Sequence, residues 1–232
     1  MTELAGARGG GHRFRSHFEG ELDQLRLQVE VMAVLVSEAL RRMGVVLATG
    51  DLGEARAALA ADDEVDAMLV SLTERCYDLI RREGPVASDL RLLVSVLRVL
   101  EELERIADLS LRVVKQVPQL HLVVAHPPMF STLLDMAEEA QALYRTAVDA
   151  WSTQDPQLAR TLAVRNQVMD GHYAALLDHI LALDGRGAAK VAVASVLIGR
   201  ALERIADHTV IVGERLRYLL TGDPAHLAAE VR

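Results

Sequence analysis

The feature that most constrains the fold of this chain is an internal repeat. The six residues 103–108, Leu-Glu-Arg-Ile-Ala-Asp, recur unchanged at 202–207, a spacing of 99 residues. Earlier positions match at a spacing of 104 residues, for example Asp51 with Asp155. Self-similarity at a fixed spacing is typical of duplicated structural units. We therefore expect one unit made twice, with the junction at the His-Pro-Pro sequence that begins at His126.

Each unit is predicted to consist of three long helices. Glycine, proline and capping acids divide the chain into segments in which apolar residues recur at helical spacing. The predicted helices cover about 18–48, 52–82, 88–117, 129–152, 156–183 and 188–220. Asp51 and Asp155 are expected to cap the second and fifth helices. The predicted fold class is all-α: six long helices forming two consecutive three-helix bundles related by pseudo-twofold duplication.

The glycine and proline residues that separate the predicted helices also predict the domain boundaries. We expect a disordered leader at 1–15, a first three-helix unit at 16–125, a second at 126–222 and a tail at 223–232. The leader lacks the apolar stretch of a signal peptide. The longest uncharged run, 116–134, contains three prolines, so no membrane-spanning helix is expected. The chain is accordingly predicted to be cytoplasmic.

Composition excludes several classes of function. The chain has 25 Lys and Arg against 33 Asp and Glu, a net charge of −8, which disfavours binding to nucleic acid. The single cysteine, Cys76, cannot form an internal disulfide or a cysteine-rich zinc site. None of the eight histidines lies three residues after a glutamate, so the Glu-x-x-His pair of di-iron bundles is absent. We find no nucleophile–base motif and predict that the protein is not an enzyme.

Pairs of acidic residues lie on otherwise apolar helix faces. The repeated segment contains Glu104 with Asp108 in one unit and Glu203 with Asp207 in the other, four positions apart and therefore on one side of the helix. Partly buried carboxylates that face each other are unfavourable unless a cation neutralises them. Antiparallel helices would gather these candidate metal ligands: Asp62, Asp66, Glu104 and Asp108 in the first unit; Asp170, Glu203, Asp207 and Glu214, with Asn166, in the second.

Oxygen ligands of this kind favour hard cations such as Mg²⁺, Mn²⁺, Ca²⁺ or iron. The predicted cofactors are divalent or trivalent metal ions, Mg, Mn, Fe or Zn. A second interpretation stays open, because Arg112 follows Asp108 by four residues and Arg200 precedes Glu203 by three. Each acid pair would then form surface salt bridges, and the chain would be a purely structural helical oligomer.

The repeated segment resembles the PhoU family of bacterial phosphate-signalling proteins. The family pattern is a Glu/Asp-x-x-x-Asp pair inside a Leu-Glu-Arg-Ile-Gly-Asp-like segment, which appears here at 103–108 and 202–207 with Ala in place of Gly. The Pro-x-Ala-x-Asp-Leu-Arg stretch at 85–91 and the residues 214–222 also look like the family. The similarity covers about 18–222, nearly the whole chain.

Three positions depart from the family pattern. Ile211 replaces a usual asparagine, Lys115 stands at the position equivalent to Glu214, and Asn166 replaces the acid that matches Asp62. Lys115 would neutralise part of the first acidic cluster without metal.

The resemblance implies a regulator of phosphate uptake and of phosphate-starvation signalling. PhoU-like proteins are pairs of three-helix bundles that bind metal on the carboxylate signatures and act as adaptors between a phosphate ABC transporter and its sensor histidine kinase. The expected partners are therefore a second copy in a homodimer, the transporter and the kinase, with peripheral membrane association only through them and no nucleic acid. The alternative function is a carboxylate-bridged metalloenzyme or metal-storage bundle.

Overall fold

The computed structural model describes the backbone of residues 7–231 and the side chains of residues 15–228. This part of the chain is helical throughout, apart from short connections, and contains no strand. A 3-10 helix, Pro224–Val231, follows the last α-helix. The α-helices within the described residues are α1 Ala7–Thr49, α2 Leu52–Ala60, α3 Asp62–Glu83, α4 Ala87–Val114, α5 Val117–Val124, α6 Pro127–Thr153, α7 Pro156–Leu181 and α8 Ala188–Thr221.

The predicted all-α fold of two three-helix bundles is confirmed. Five of the six predicted long helices correspond to α1, α4, α6, α7 and α8. The remaining one, expected at 52–82, is broken at Ala61 into α2 and α3. Three acidic residues begin α3, and negative charge in the first turn favours the start of a new helix there.

Two helix boundaries differ from the prediction. The third helix was expected to run to about residue 117, but α4 ends at Val114, and α5 begins three residues later with Pro118 in its first turn. The first helix begins at Ala7, so residues 7–15 of the expected disordered leader are helical, whereas residues 1–6 lie outside the described residues. Extension of an existing helix adds one hydrogen bond per residue without a new nucleation step.

Capping acids start the second helix of each bundle, as predicted. The Asp51 side chain accepts hydrogen bonds from the backbone N–H groups of Gly53 and Glu54, at 2.6 and 3.1 Å. The Asp155 side chain likewise accepts from Gln157 and Leu158, at 2.8 and 3.1 Å. These bonds satisfy donors that the helix itself leaves unpaired.

The two bundles share one hydrophobic core. Helices α1, α3 and α4 pack together, as do α6, α7 and α8, but α4 also packs along α8 and α1 along α6. The buried apolar residues of both bundles form a single cluster. Between the bundles, the buried Tyr144 hydroxyl donates a hydrogen bond to the Ala33 carbonyl at 3.0 Å. Neither bundle therefore completes its core alone.

The packing of α7 against α8 depends on two glycines of α8. A Cβ atom at Gly199 would lie 2.2 Å from Leu176 Cδ2, and one at Gly213 would lie 2.4 Å from Leu162 Cδ1. A side chain at either position would therefore have to displace the tip of a buried leucine. In the first unit the equivalent positions carry Leu100 and Val114, so the corresponding helix pair is packed by larger side chains on α4.

Within the described residues, we find no helix that combines the length and the apolar character needed to span a bilayer.

Candidate metal centres

The first acidic cluster lies where α3 packs against α4. Burial raises the pKa of Asp62, and repulsion from Asp66 and Asp108 raises it further, whereas Lys115 lowers it. Burial also raises the pKa of Glu104, followed by repulsion from Asp108, and the other two acids add to the effect. Each carboxylate is therefore close enough to the others for their charges to interact. The structure brings together all four acids predicted for this unit.

The second acidic cluster occupies the equivalent place between α7 and α8. Burial raises the pKa of Glu203, and repulsion from Asp207 and Asp170 adds to this effect. The charge of Arg200 and its hydrogen bond to Glu203 oppose the increase. Three of the four acids predicted for this unit are therefore gathered, with an arginine already attached to one of them.

Asn166 completes the second cluster. Its Nδ2 donates a hydrogen bond to Asp207 Oδ1 at 3.1 Å, across the α7–α8 contact. Its Oδ1 is buried and has no hydrogen-bond partner. An unsatisfied buried oxygen is unusual in a folded protein and is a suitable ligand for a hard cation.

Glu214 makes its described contacts outside the second cluster. Its carboxylate accepts from Arg217 Nη1 at 2.7 Å and lies 3.2 Å from Nδ1 of His226 in the 3-10 helix. Glu214 lies seven residues beyond Asp207, which is about 10 Å along a helix. The predicted role of Glu214 as a metal ligand stays a prediction, and binding would require it to leave Arg217 and His226.

The donor chemistry of both clusters fits a hard cation, but neither is a closed cage. Among the described side chains, no three His, Cys, Asp or Glu residues already converge closely enough to hold a metal ion. Burial raises the pKa values of Glu104 and Glu203 most, and repulsion from the neighbouring carboxylates raises them further, so a bound cation would relieve both. Cation binding would require these side chains to reorient toward a shared point.

The two predicted salt bridges are present. Arg112 Nη2 lies 3.6 Å from Asp108 Oδ2, and Arg200 forms a close ion pair with Glu203. Surface ion pairs of this kind contribute about 0–1 kcal/mol each. The pKa of Glu203 remains raised despite its arginine, so these pairs neutralise the clusters only in part.

Sequence reasoning missed a polar pair between the bundles. His208 Nδ1 lies 2.6 Å from Glu102 Oε2, and both side chains are largely buried where α4 meets α8. Arg204 Nη2 lies 3.5 Å from the other ring nitrogen. The signal was available in the repeat, because Glu102 aligns with Ala201 and His208 aligns with Leu109. At each of these two aligned positions, one unit carries a polar residue and the other an apolar one.

Sequence reasoning also missed a cavity beside the first cluster. Its volume is about 130 Å³, and Ala58 and Ala61 are among the residues that line it. The equivalent residues of the second unit are Leu162 and Arg165. Leu162 is fully buried, and Arg165 Nε donates to Glu139 Oε1 at 2.8 Å. Larger side chains therefore stand in the second unit where alanines line the cavity in the first.

Comparison with known families agrees with the duplication. The PhoU domain model matches the chain twice, at residues 29–117 and 133–216. One relative is the phosphate-specific transport system accessory protein PhoU homolog of Pseudomonas putida, 27% identical over 170 residues, which are 73% of this chain and 66% of the relative. PhoU homolog 1 of Thermotoga maritima is 32% identical over 154 residues, 66% of each protein. The chain thus spans about two thirds of the length of these relatives.

Two crystal structures have the same fold. PhoU from Pseudomonas aeruginosa superposes with a TM-score of 0.84 at 27% identity, covering 89% of this chain and 100% of that one. The phosphate transport system regulatory protein PhoU from Streptococcus pneumoniae superposes with a TM-score of 0.80 at 25% identity, covering 89% and 98%.

Proposed function

The chain belongs to the PhoU family, and we propose that it is a cytoplasmic, non-enzymatic regulator of phosphate uptake and phosphate-starvation signalling. Its relatives are named as accessory or regulatory proteins of phosphate transport systems. The observation that carries the proposal is the pair of matching acidic clusters, one on each of two bundles that both match the PhoU domain.

We further propose that both clusters bind divalent or trivalent metal ions. A bound cation supplies positive charge that offsets the repulsion between the carboxylates. The buried, unpartnered Asn166 Oδ1 supports this for the second cluster. The residues that would hold metal are Asp62, Asp66, Glu104 and Asp108 in the first cluster, and Asn166, Asp170, Glu203 and Asp207 in the second.

The proposed partners are a second copy of the chain, a phosphate ABC transporter and its sensor histidine kinase. Metal occupancy would add positive charge to the α3–α4 and α7–α8 faces that carry the two clusters. A partner that binds one of these charge states more tightly would then bind or dissociate as the metal occupancy changes. Membrane association in this scheme is peripheral and occurs only through the partners.

The metalloenzyme and metal-storage alternative has less support. This alternative needs a histidine ligand, and His208 is the histidine beside the second acid pair in sequence. His208 is instead held by Glu102 at 2.6 Å, on the side of α8 that faces α4. The clusters therefore offer oxygen ligands, which suit hard cations better than redox centres with imidazole ligands.

Gene deletion and complementation test the proposed function. The deletion strain should express phosphate-starvation genes in phosphate-rich medium, and the wild-type gene should restore repression. A double variant, Asp108→Asn with Asp207→Asn, should fail to restore it while keeping full helix content by circular dichroism. Asp178→Asn, an exposed acid of α7 outside the clusters, is the matched control and should restore repression. Unchanged expression and uptake in the deletion strain would exclude the regulatory role.

A further inference from the structure

We propose that the groove between α5 and the first turns of α8 is a docking site for an amphipathic helix of a partner protein, with an acidic side chain of that helix placed against Lys190. The proposal rests on the adaptor role proposed above and specifies the surface and the chemistry of the segment that it accepts. The groove is separate from both acidic clusters.

The groove is open, apolar along its floor and about 740 Å³ in volume. Val193 and Leu197 of α8 line it, and 60% and 50% of their surfaces are exposed. They lie four residues apart and so form adjacent anchors on one helix face. Leu122 and Pro118 line the groove from α5. Exposed apolar side chains concentrated in a concave surface are typical of protein-binding sites.

The charge of the groove is opposite to that of the chain as a whole. No Asp or Glu is among its lining residues, whereas Lys190 and His121 are. Lys190 makes no ion pair with any described residue. The net charge of the whole chain is −8, so the groove is basic in a chain that is acidic overall.

The amino terminus of α8 adds to this positive potential. Gly187 precedes the helix and provides no side-chain cap, and the first turn contains no acidic residue. A 34-residue helix carries a partial positive charge at its start. This charge lies at the same end of the groove as Lys190, so both would attract a carboxylate of an incoming segment.

A helix with apolar side chains and a terminal acid matches these features best. Helix-in-groove recognition uses anchors at i, i+3, i+4 and i+7 that enter an apolar groove between helices. The apolar floor bounded by Val193, Leu197 and Leu122 would accept the anchors, and Lys190 would fix the direction of the bound helix. A basic segment would be repelled at the same position.

Site-specific photocrosslinking tests this proposal in the full-length chain. The photoreactive residue p-benzoylphenylalanine replaces Leu197, and the protein is expressed in its own host. The matched control carries the same residue at Val164, a valine of α7 with 66% of its surface exposed. Adducts are mapped by mass spectrometry, and circular dichroism and thermal melting verify the fold of each variant. The change Lys190→Glu is then added to the Leu197 variant.

The proposal expects an adduct at Leu197, absent at Val164, within a partner helix that carries an acid beside apolar anchors. Lys190→Glu should reduce that adduct by about tenfold, since it places like charges together. Charge reversal of the partner acid should restore the adduct. An adduct at Leu197 no stronger than at Val164, one with a second copy of this chain or with a basic segment, or one insensitive to Lys190→Glu would each overturn the proposal.

The same strains separate this inference from the proposed function. Loss of phosphate regulation in the deletion strain without a Leu197 adduct would leave the regulatory role intact and reject the groove. An adduct with an acidic helix of a protein unrelated to phosphate transport, together with unchanged phosphate regulation, would support the groove and reject the regulatory role.

Discussion

The two bundles keep the same acidic positions in different surroundings. The cluster on α3 and α4 consists of four carboxylates beside a cavity of about 130 Å³. The cluster on α7 and α8 contains three carboxylates and Asn166, and Arg200 already pairs with one of the acids. After duplication, the acids of the repeated segment have remained while the packing and the charge around them have diverged.

The comparison indicates that the two clusters have different roles under the proposed metal-binding function. The first offers four carboxylates against three, although Arg112 and Lys115 partly neutralise them, and is expected to bind a cation more strongly. The second is supported by close helix packing at Gly199 and Gly213 and is expected to be the more rigid.

Truncation of Leu162 should have the largest effect on stability. Leu162 is fully buried and lies against Gly213, so Leu162→Ala removes packed atoms and leaves a cavity. The free energy of unfolding should fall by about 2–5 kcal/mol, as measured by urea denaturation. Adding Gly213→Val reproduces the Ala58 and Val114 combination of the first unit and should recover part of the loss. No recovery would show that the two units do not pack in equivalent ways.

Metal should stabilise the protein mainly through the first cluster. If Mg²⁺ or Mn²⁺ binds the folded state, a concentration 100 times the Kd adds about 2.7 kcal/mol. Asp108→Asn should remove more of the metal-dependent rise in Tm than Asp207→Asn does, and Asp178→Asn should remove none. A larger loss with Asp207→Asn would reverse the comparison. A wild-type Tm that changes with neither metal nor chelator would favour the salt-bridge interpretation.

Filling the cavity of the first unit should have a smaller, opposite effect. Ala58→Leu introduces the residue found at the equivalent position 162 and places it in a space of about 130 Å³. Cavity filling commonly adds about 0.5–2 kcal/mol to the free energy of unfolding. Urea denaturation measures the change, with the exposed substitution Ala60→Leu on the same helix as control. A loss of stability would show that the cavity cannot accept the larger side chain.

The pH dependence should show the smallest effect. The folded-state pKa values of Glu104 and Glu203 exceed those of the unfolded chain, so the folded state holds extra protons. In chelator, the contribution of these two groups to stability should therefore rise as the pH falls from 7 toward the ordinary glutamate pKa of about 4.3, whereas Glu38, whose hydrogen bond to Arg41 lowers its pKa to about 2, contributes with the opposite sign. Glu104→Gln with Glu203→Gln should flatten this rise in thermal melts. Saturating metal should also flatten this rise in stability at low pH. A pH slope that metal leaves unchanged would contradict the proposed metal binding.

Much of the fold could be predicted from the sequence because its signals are local or repeated. Asp51 and Asp155 predicted where two helices begin, because the side chain of each acid accepts hydrogen bonds from backbone N–H groups that follow it. The exact repeat at 103–108 and 202–207 predicted the duplication of the three-helix unit. The break at Ala61 was not predicted, because alanine favours helix and this preference concealed the helix start marked by the three acids that follow.

The sequence predicted the composition of the clusters better than their detailed contacts. Periodicity placed Glu104 and Asp108 on one face correctly, because it follows from helix geometry. It could not show that the 3-10 helix would engage Glu214 through His226, because that contact depends on how the chain folds back after Gly222. The pairing of Glu102 with His208 also depends on contact between distant helices.

The Glu102–His208 bond has a consequence for how the two units recognise each other. If two first units from different chains joined through α4, each Glu102 would face Leu109 in place of its histidine. Two second units joined through α8 would place His208 opposite Ala201. A buried carboxylate deprived of its partner is strongly destabilising. Association of like units is thereby disfavoured, and each first unit is directed to pair with a second unit.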